Sequence, residues 1–213
     1  MRSIIYLLLC YLCSQAMLAQ PRYTPYNQFS LEGGYGVSIP TRIVSEVSDK
    51  SFVSVTHIAL GARYMFNQDW GVKGQLAFDR FSESADLGTS FFRMDAQAYY
   101  NLGRQLGLPY ATNELMGLYA HGGLGVSFAR SLFNDSREHN GNILIGLTPM
   151  FKLSDKLALP ITLSYTHTIK QHFSFDGIPF DPPTVAYRNG GHYTFSVGLI
   201  IYLGEERMHA DWY

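Results

Sequence analysis

The chain has 213 residues and a formal net charge of -1, with only 15% charged residues and as large a share, 15%, of aromatics. Ordinary soluble domains carry about 25% charged residues. These figures exclude a basic nucleic-acid-binding surface, a charged disordered tail protein and a heptad coiled coil. What remains is a β protein rich in glycine and tyrosine, 20 Gly and 15 Tyr, of a kind suited to contact with lipid.

The amino terminus reads as an address. Met1-Arg2-Ser3 is a short positive region, Ile4 to Cys13 an apolar run, and Ser14 to Ala19 a more polar stretch ending in small residues. This is the layout of a secretory signal peptide, and the run is shorter than the roughly 20 apolar residues of a spanning helix. Cleavage after Ala19 leaves Gln20 first; cleavage after Ala16 stays open. Both cysteines, Cys10 and Cys13, lie inside this segment. The mature chain is therefore expected to have no disulfide, no thiol nucleophile and no cysteine metal site. The expected organisation is a signal peptide over 1–19, a barrel over 20–204 and a short periplasmic tail over 205–213.

Beyond the signal, period-2 alternation dominates. Apolar faces run from Phe29 to Ile39, Ile58 to Phe66, Val72 to Phe78, Phe92 to Leu102, Leu118 to Phe128, Ile143 to Phe151, Leu157 to Tyr165 and Tyr193 to Leu203. The opposite faces carry Gly, Ala, Ser and Thr with sparse charges; Met65, Leu144, Met150 and Ile200 are the apolar exceptions there. The pattern predicts strands of about ten residues, the length that crosses a membrane and longer than the usual globular strand of about 5–6.

The connections add a second signal. Asn67-Gln68-Asp69 and Ser154-Asp155-Lys156 read as tight turns, whereas Pro40 to Ser54, Ser82 to Gly88, Ala129 to Gly141 and Ser174 to Gly190 are longer and more polar. Short turns on one rim and long loops on the other are the layout of an outer-membrane barrel. Gly103 to Glu114 should be a short turn and is not. Asn140-Gly141 and Asn189-Gly190 are read as turn markers.

Size decides which face meets lipid. An eight-stranded barrel has an interior just wide enough for side chains or one small ligand, too narrow for a face of Phe, Tyr, Leu and Ile. The apolar face therefore points outward, and closure removes the unpaired strand edges that lipid does not tolerate. The expected fold is an all-β, eight-stranded antiparallel up-and-down transmembrane β-barrel in the outer membrane, with outer-membrane lipid as its surroundings. Trp70 and Trp212 are expected in the periplasmic aromatic girdle.

The inward charges are the nearest thing to a site. Counting from the hairpins pairs Glu32 with Arg63 and Asp79 with Arg93, and sets Lys73 diagonal to Asp95. Burial makes a lone charge costly, so ion pairs plugging the lumen are expected. The seven histidines show no compact ligand spacing, and no metal or other cofactor is expected.

Three stretches resemble the eight-stranded barrel of the outer membrane protein A family in its Bacteroidota-type form: Asn67 to Val72, Gly146 to Lys156, and Phe195 to Gly204. The likeness spans nearly all of residues 27 to 204. It implies a barrel domain; longer relatives continue into a peptidoglycan-binding domain, which is not expected of a sequence that stops at Trp212-Tyr213. The last strand is also similar to the signal read by the barrel-assembly machinery, with Ser196, Gly198, Ile201 and Leu203 in the matching places and Leu203 standing where an aromatic is usual.

Three functions fit this reading. The first is a non-enzymatic barrel, structural or surface-binding, whose long loops are where a partner would touch; the loop from Ser174 to Gly190 either packs on the rim or offers a stiff recognition surface. The second is a narrow channel for small solutes. The third is a lipid-modifying enzyme, for which His172-Phe173-Ser174 is similar to the His-x-Ser of lipid A deacylases, with Asp176 and Asp181 as the near carboxylates and His172 and Ser174 both inward by alternation.

Overall fold

Alternating side chains let one sheet carry two chemistries, and here the sheet closes on itself. A computed structural model describes residues 25–41, 53–82, 87–180 and 187–213; the signal segment 1–19 lies outside them. Among the described residues the strands are β1 (Phe29–Pro40), β2 (Ser54–Met65), β3 (Trp70–Ser82), β4 (Gly88–Asn101), β5 (Met116–Ser131), β6 (Arg137–Ser154), β7 (Leu157–Gln171) and β8 (Arg188–Leu203). Each pairs antiparallel with the next, and β1 pairs with β8 to complete a barrel.

The strands run from 12 to 18 residues, longer than expected. The extra length lies mainly at the long-loop ends of β5 to β8, where alternation continues with few apolar side chains. The Asn-Gly pairs are not turns: Asn140-Gly141 lies inside β6 and Asn189-Gly190 inside β8. Residues 132–136 are all that separate β5 from β6.

The short-turn rim follows local chemistry. Asn67 Oδ1 accepts from the N–H groups of Asp69 and Trp70, both at 2.8 Å, and so closes the β2–β3 turn. The unexplained stretch after β4 folds as two single-turn helices, α1 (Leu102–Gln105) and α2 (Leu108–Ala111). Asn101 caps α1 by accepting from the Arg104 N–H, and Gly107 makes the bend at φ 66° that lets α2 start.

Outward residues form the apolar belt: Leu31, Leu60, Leu76, Met94, Leu124, Ile145, Leu163 and Leu199 are all exposed. Trp70 belongs to this surface, 51% exposed and 4.6 Å from the Tyr100 ring. Trp212 does not. It is 2% exposed, packed inside the barrel with Met65, Met150 and Ile200. The girdle position expected for Trp212 is thus corrected: the chain after β8 turns back into the lumen instead of running along the membrane surface.

Candidate functional site

The lumen holds the chemistry, and it is layered. At the short-turn end the inward side chains of Met65, Tyr99, Tyr119, Met150, Ala158, Ile200 and Tyr202 make an apolar floor, completed by Ala210 and Trp212 from the tail. Gly117 lies beneath the indole: a Cβ there would stand 3.3 Å from the Met150 methyl and 3.4 Å from the Trp212 ring, leaving no room for a larger side chain. Three of the four inward apolar exceptions of the sequence pattern, Met65, Met150 and Ile200, are therefore the seat of a plug, while Leu144 lines the cavity above it.

The tail is held by polar groups as well. Asn27 takes both directions of contact, its Nδ2 donating to the Glu206 carbonyl at 2.6 Å and its Oδ1 accepting from the Glu206 N–H at 3.0 Å. Backbone bonds from Asn27 N–H to Met208 and from Ala210 N–H to Asn27 fix the register. The last turn, Ala210–Trp212, is capped by the His209 ring, which accepts from the Asp211 N–H at 3.2 Å.

Asp211 enters the lumen just above this floor. Arg63 donates to both of its oxygens, at 3.0 and 2.7 Å, and the Tyr119 and Tyr202 hydroxyls donate at 2.7 and 2.8 Å. Burial alone would raise the Asp211 carboxyl. The Arg63 guanidinium and His209 beside it outweigh that and hold it well below the usual carboxylate range.

Above this lie the inward charges. Arg63 Nε donates to Glu32 at 2.6 Å, so Arg63 bridges Glu32 and Asp211. Lys73 does not meet Asp95; its ammonium lies 2.7 Å from Glu32. Asp95 is taken by Arg93 on the same strand, at 2.8 Å. Arg93 and Asp79 stand 3.8 Å apart, and the close partners of Asp79 are His57 at 2.8 Å and the Ser38 hydroxyl at 2.6 Å. Sequence reasoning missed Asp211, His57 and the three tyrosines.

At the long-loop end a second plug closes the barrel. Phe81, Phe91 and Ala129 on the strands pack against Phe173 and Phe175 from the segment after β7. The Phe81 and Phe175 rings meet edge to face at 4.8 Å. Thr89 donates to the Ser174 carbonyl and Ser131 to the Gly177 carbonyl, tying the segment down. Phe175, expected in a loop that either packs on the rim or offers a recognition surface, is turned inward and 1% exposed. Pro182 and Pro183, read as part of that loop, lie outside the described residues.

Between the plugs remains a cavity of about 30 Å³, lined in part by Glu32, His57, Lys73, Arg93, Gln97 and His121. That is room for about two water molecules. No described group of three or more His, Cys, Asp or Glu is placed to hold a metal.

The His-x-Ser segment does not assemble as alternation implied. The His172 side chain is exposed and faces Glu138 at 3.3 Å, a carboxylate of β6 that the sequence reading left out. Ser174 is buried in the plug, with its N–H bonded to Ile178. Asp176 accepts from the Ile178 N–H, and Asp181 lies outside the described residues.

No family model matches this sequence. No curated protein matches it either. Solved structures do match the fold. Neisserial surface protein A (NspA) aligns with a TM-score of 0.60 at 13% identity, over 82% of this chain and 97% of that one. The outer membrane protein OprG from Pseudomonas aeruginosa aligns with a TM-score of 0.50 at 10% identity, over 86% and 100%. At such identities the likeness is one of fold: this chain has the closed eight-stranded barrel of outer-membrane proteins.

Proposed function

We propose that the protein is a non-enzymatic outer-membrane barrel, structural or surface-binding, that does not conduct solutes. The observation that carries this is the doubly stoppered lumen. Tail residues fill one mouth, Phe173 and Phe175 fill the other, and the space left between them has room for about two water molecules. A channel needs a continuous wet path, and the buried pair of Arg63 on the wall with Asp211 of the tail, at 2.7 Å, stands in it.

The reading extends to the whole chain. Residues 1–19 would direct secretion across the inner membrane, and β8 would present the signal to the barrel-assembly machinery. The short-turn rim then faces the periplasm and the long loops face outward. Phe133 and Tyr187, both more than half exposed, are what the described loops offer a surface ligand.

The test is direct. Purified protein folded into detergent should run as a faster band unboiled than boiled, because a closed barrel resists detergent until heated. The same sample in planar bilayers should give no current steps, and liposomes bearing it should not swell in small sugars. Steady single-channel conductance would sink the sealed reading and install the narrow channel in its place. An unshifted band in a soluble fraction would sink the membrane reading itself.

A further inference from the structure

Register places two rows of side chains on the outer wall of β3 to β6. The first is Phe78, Phe92 and Phe128, paired across in that order, with His139 opposite Phe128. The second lies two residues further toward the long-loop rim: Arg80 opposite Ser90, Ser90 opposite Arg130, and Arg130 opposite Arg137. Alternation turns all of them outward, and the arginines are exposed.

Depth follows from strand geometry. Trp70 and Arg80 bound the outward face of β3, ten residues apart. At about 3.3 Å per residue and a tilt near 40°, that is roughly 25 Å along the membrane normal, the height of an outer-membrane apolar band. The phenylalanines therefore stand at the outer edge of the hydrocarbon, and the arginines about 5 Å higher, where headgroup phosphates lie.

Among the described residues the charges in this row are mostly uncompensated. Arg130 and Arg137 sit directly opposite each other, an arrangement that costs stability in a sheet. Asp135 pairs with Arg130 only, at an exposed site, where such pairs contribute little. Among the described residues no carboxylate pairs with Arg80 or Arg137. The inward cations Arg63, Lys73 and Arg93, by contrast, each meet a carboxylate.

The geometry points to a docking site for a lipid of the outer leaflet that bears an anionic phosphomonoester, on this side of the barrel. Its acyl chains would lie on Phe78, Phe92 and Phe128, and its phosphate oxygens would accept from Arg80, Arg130 and Arg137. Guanidinium forks suit phosphate bidentately, and an anion between Arg130 and Arg137 removes their repulsion. The site rests on the outer-membrane reading above.

The experiment uses the full chain, folded into phosphatidylcholine liposomes containing a trace of spin-labelled phosphatidic acid or spin-labelled phosphatidylcholine. Electron spin resonance then reports the lipid immobilised at the barrel wall. The expected result is a preference for phosphatidic acid of at least about fivefold, the value of one engaged arginine near a membrane surface. The preference should vanish in the triple variant Arg80→Gln, Arg130→Gln, Arg137→Gln, whose unboiled gel band confirms that it still folds. Equal immobilisation of the two lipids by the wild type overturns the site, as does a preference that survives in the triple variant. Absence of any immobilised lipid overturns the membrane reading, and this site with it.

Discussion

Arg63 of β2 and Asp211 of the tail, 148 residues apart in sequence, form a two-bonded ion pair with both side chains fully buried. The pair is completed by the Tyr119 and Tyr202 hydroxyls on one side and by Glu32 on the other.

Removing one member of such a pair leaves a buried charge without its partner. Asp211→Ala should cost about 3–5 kcal/mol, read as a lower denaturant midpoint for the unboiled gel band. Arg63→Met combined with Asp211→Leu should recover a good part of that loss, because well-packed apolar residues often replace a buried ion pair at little cost. A double variant as unstable as the single one would show that shape, not charge, is what the site lacks.

The tail can be followed by its own fluorophore. Trp70 and Trp212 are the only tryptophans, so Trp70→Phe leaves Trp212 as a sole reporter with blue-shifted emission from its buried seat. Gly117→Leu would place a side chain where the indole now lies. The expected outcome is red-shifted emission with the barrel still closed on gels. Unchanged emission would contradict the seat described for Trp212.

Acid should release the tail late. The folded carboxyl of Asp211 is depressed relative to its unfolded value near 3.9, so the unfolded state takes up protons first as pH falls. The stability it contributes is fully present above that unfolded value and is lost as pH falls through the folded one. Trp212 emission in the Trp70→Phe protein should therefore hold steady from pH 8 to about pH 4 and shift only in stronger acid. A transition centred near pH 6 would mean that a histidine, not Asp211, controls docking.

The other stopper should yield to a different substitution. Phe175 is buried among Phe81, Phe91 and Phe173, and Phe→Ala in such a place costs about 3–5 kcal/mol. Because the loss falls on a loop and not on the strand ladder, Phe175→Ala should speed protease cleavage between β7 and β8 while the heat-shifted gel band persists. Loss of the band would show that the stopper supports the barrel as a whole.

Lipid deacylation offers a test against the enzyme reading. Purified protein incubated with lipid A or phospholipid should release no fatty acid, since His172 is exposed toward Glu138 and Ser174 is buried. Release that disappears in Ser174→Ala would reverse this conclusion.

Alternation made the strands and their facing legible, because each step along a strand flips the side chain. The strand ends were not, because beyond the apolar belt both faces are polar: in β6, Arg137, His139 and Gly141 point outward and Glu138 and Asn140 inward, with no hydrophobic contrast to read. The Glu32–Arg63 neighbourhood follows from register alone. The Lys73–Glu32 contact needs the reach of a long side chain, and Arg93 already occupies Asp95 from the same face of β4. Nothing local announces that Asp211 returns to Arg63. The readable hint was the inward set Met65, Met150 and Ile200, an apolar floor that water would penalise unless something covered it.

The socket for Asp211 draws its donors from β2, β5 and β8, strands spread around the circumference. Asn27, just before β1, clasps the segment that follows β8. A half-zipped sheet thus presents no place for the tail to settle. The complete set of contacts that seats the tail exists only in the closed ring, so a buried Trp212 marks a barrel whose last seam is made.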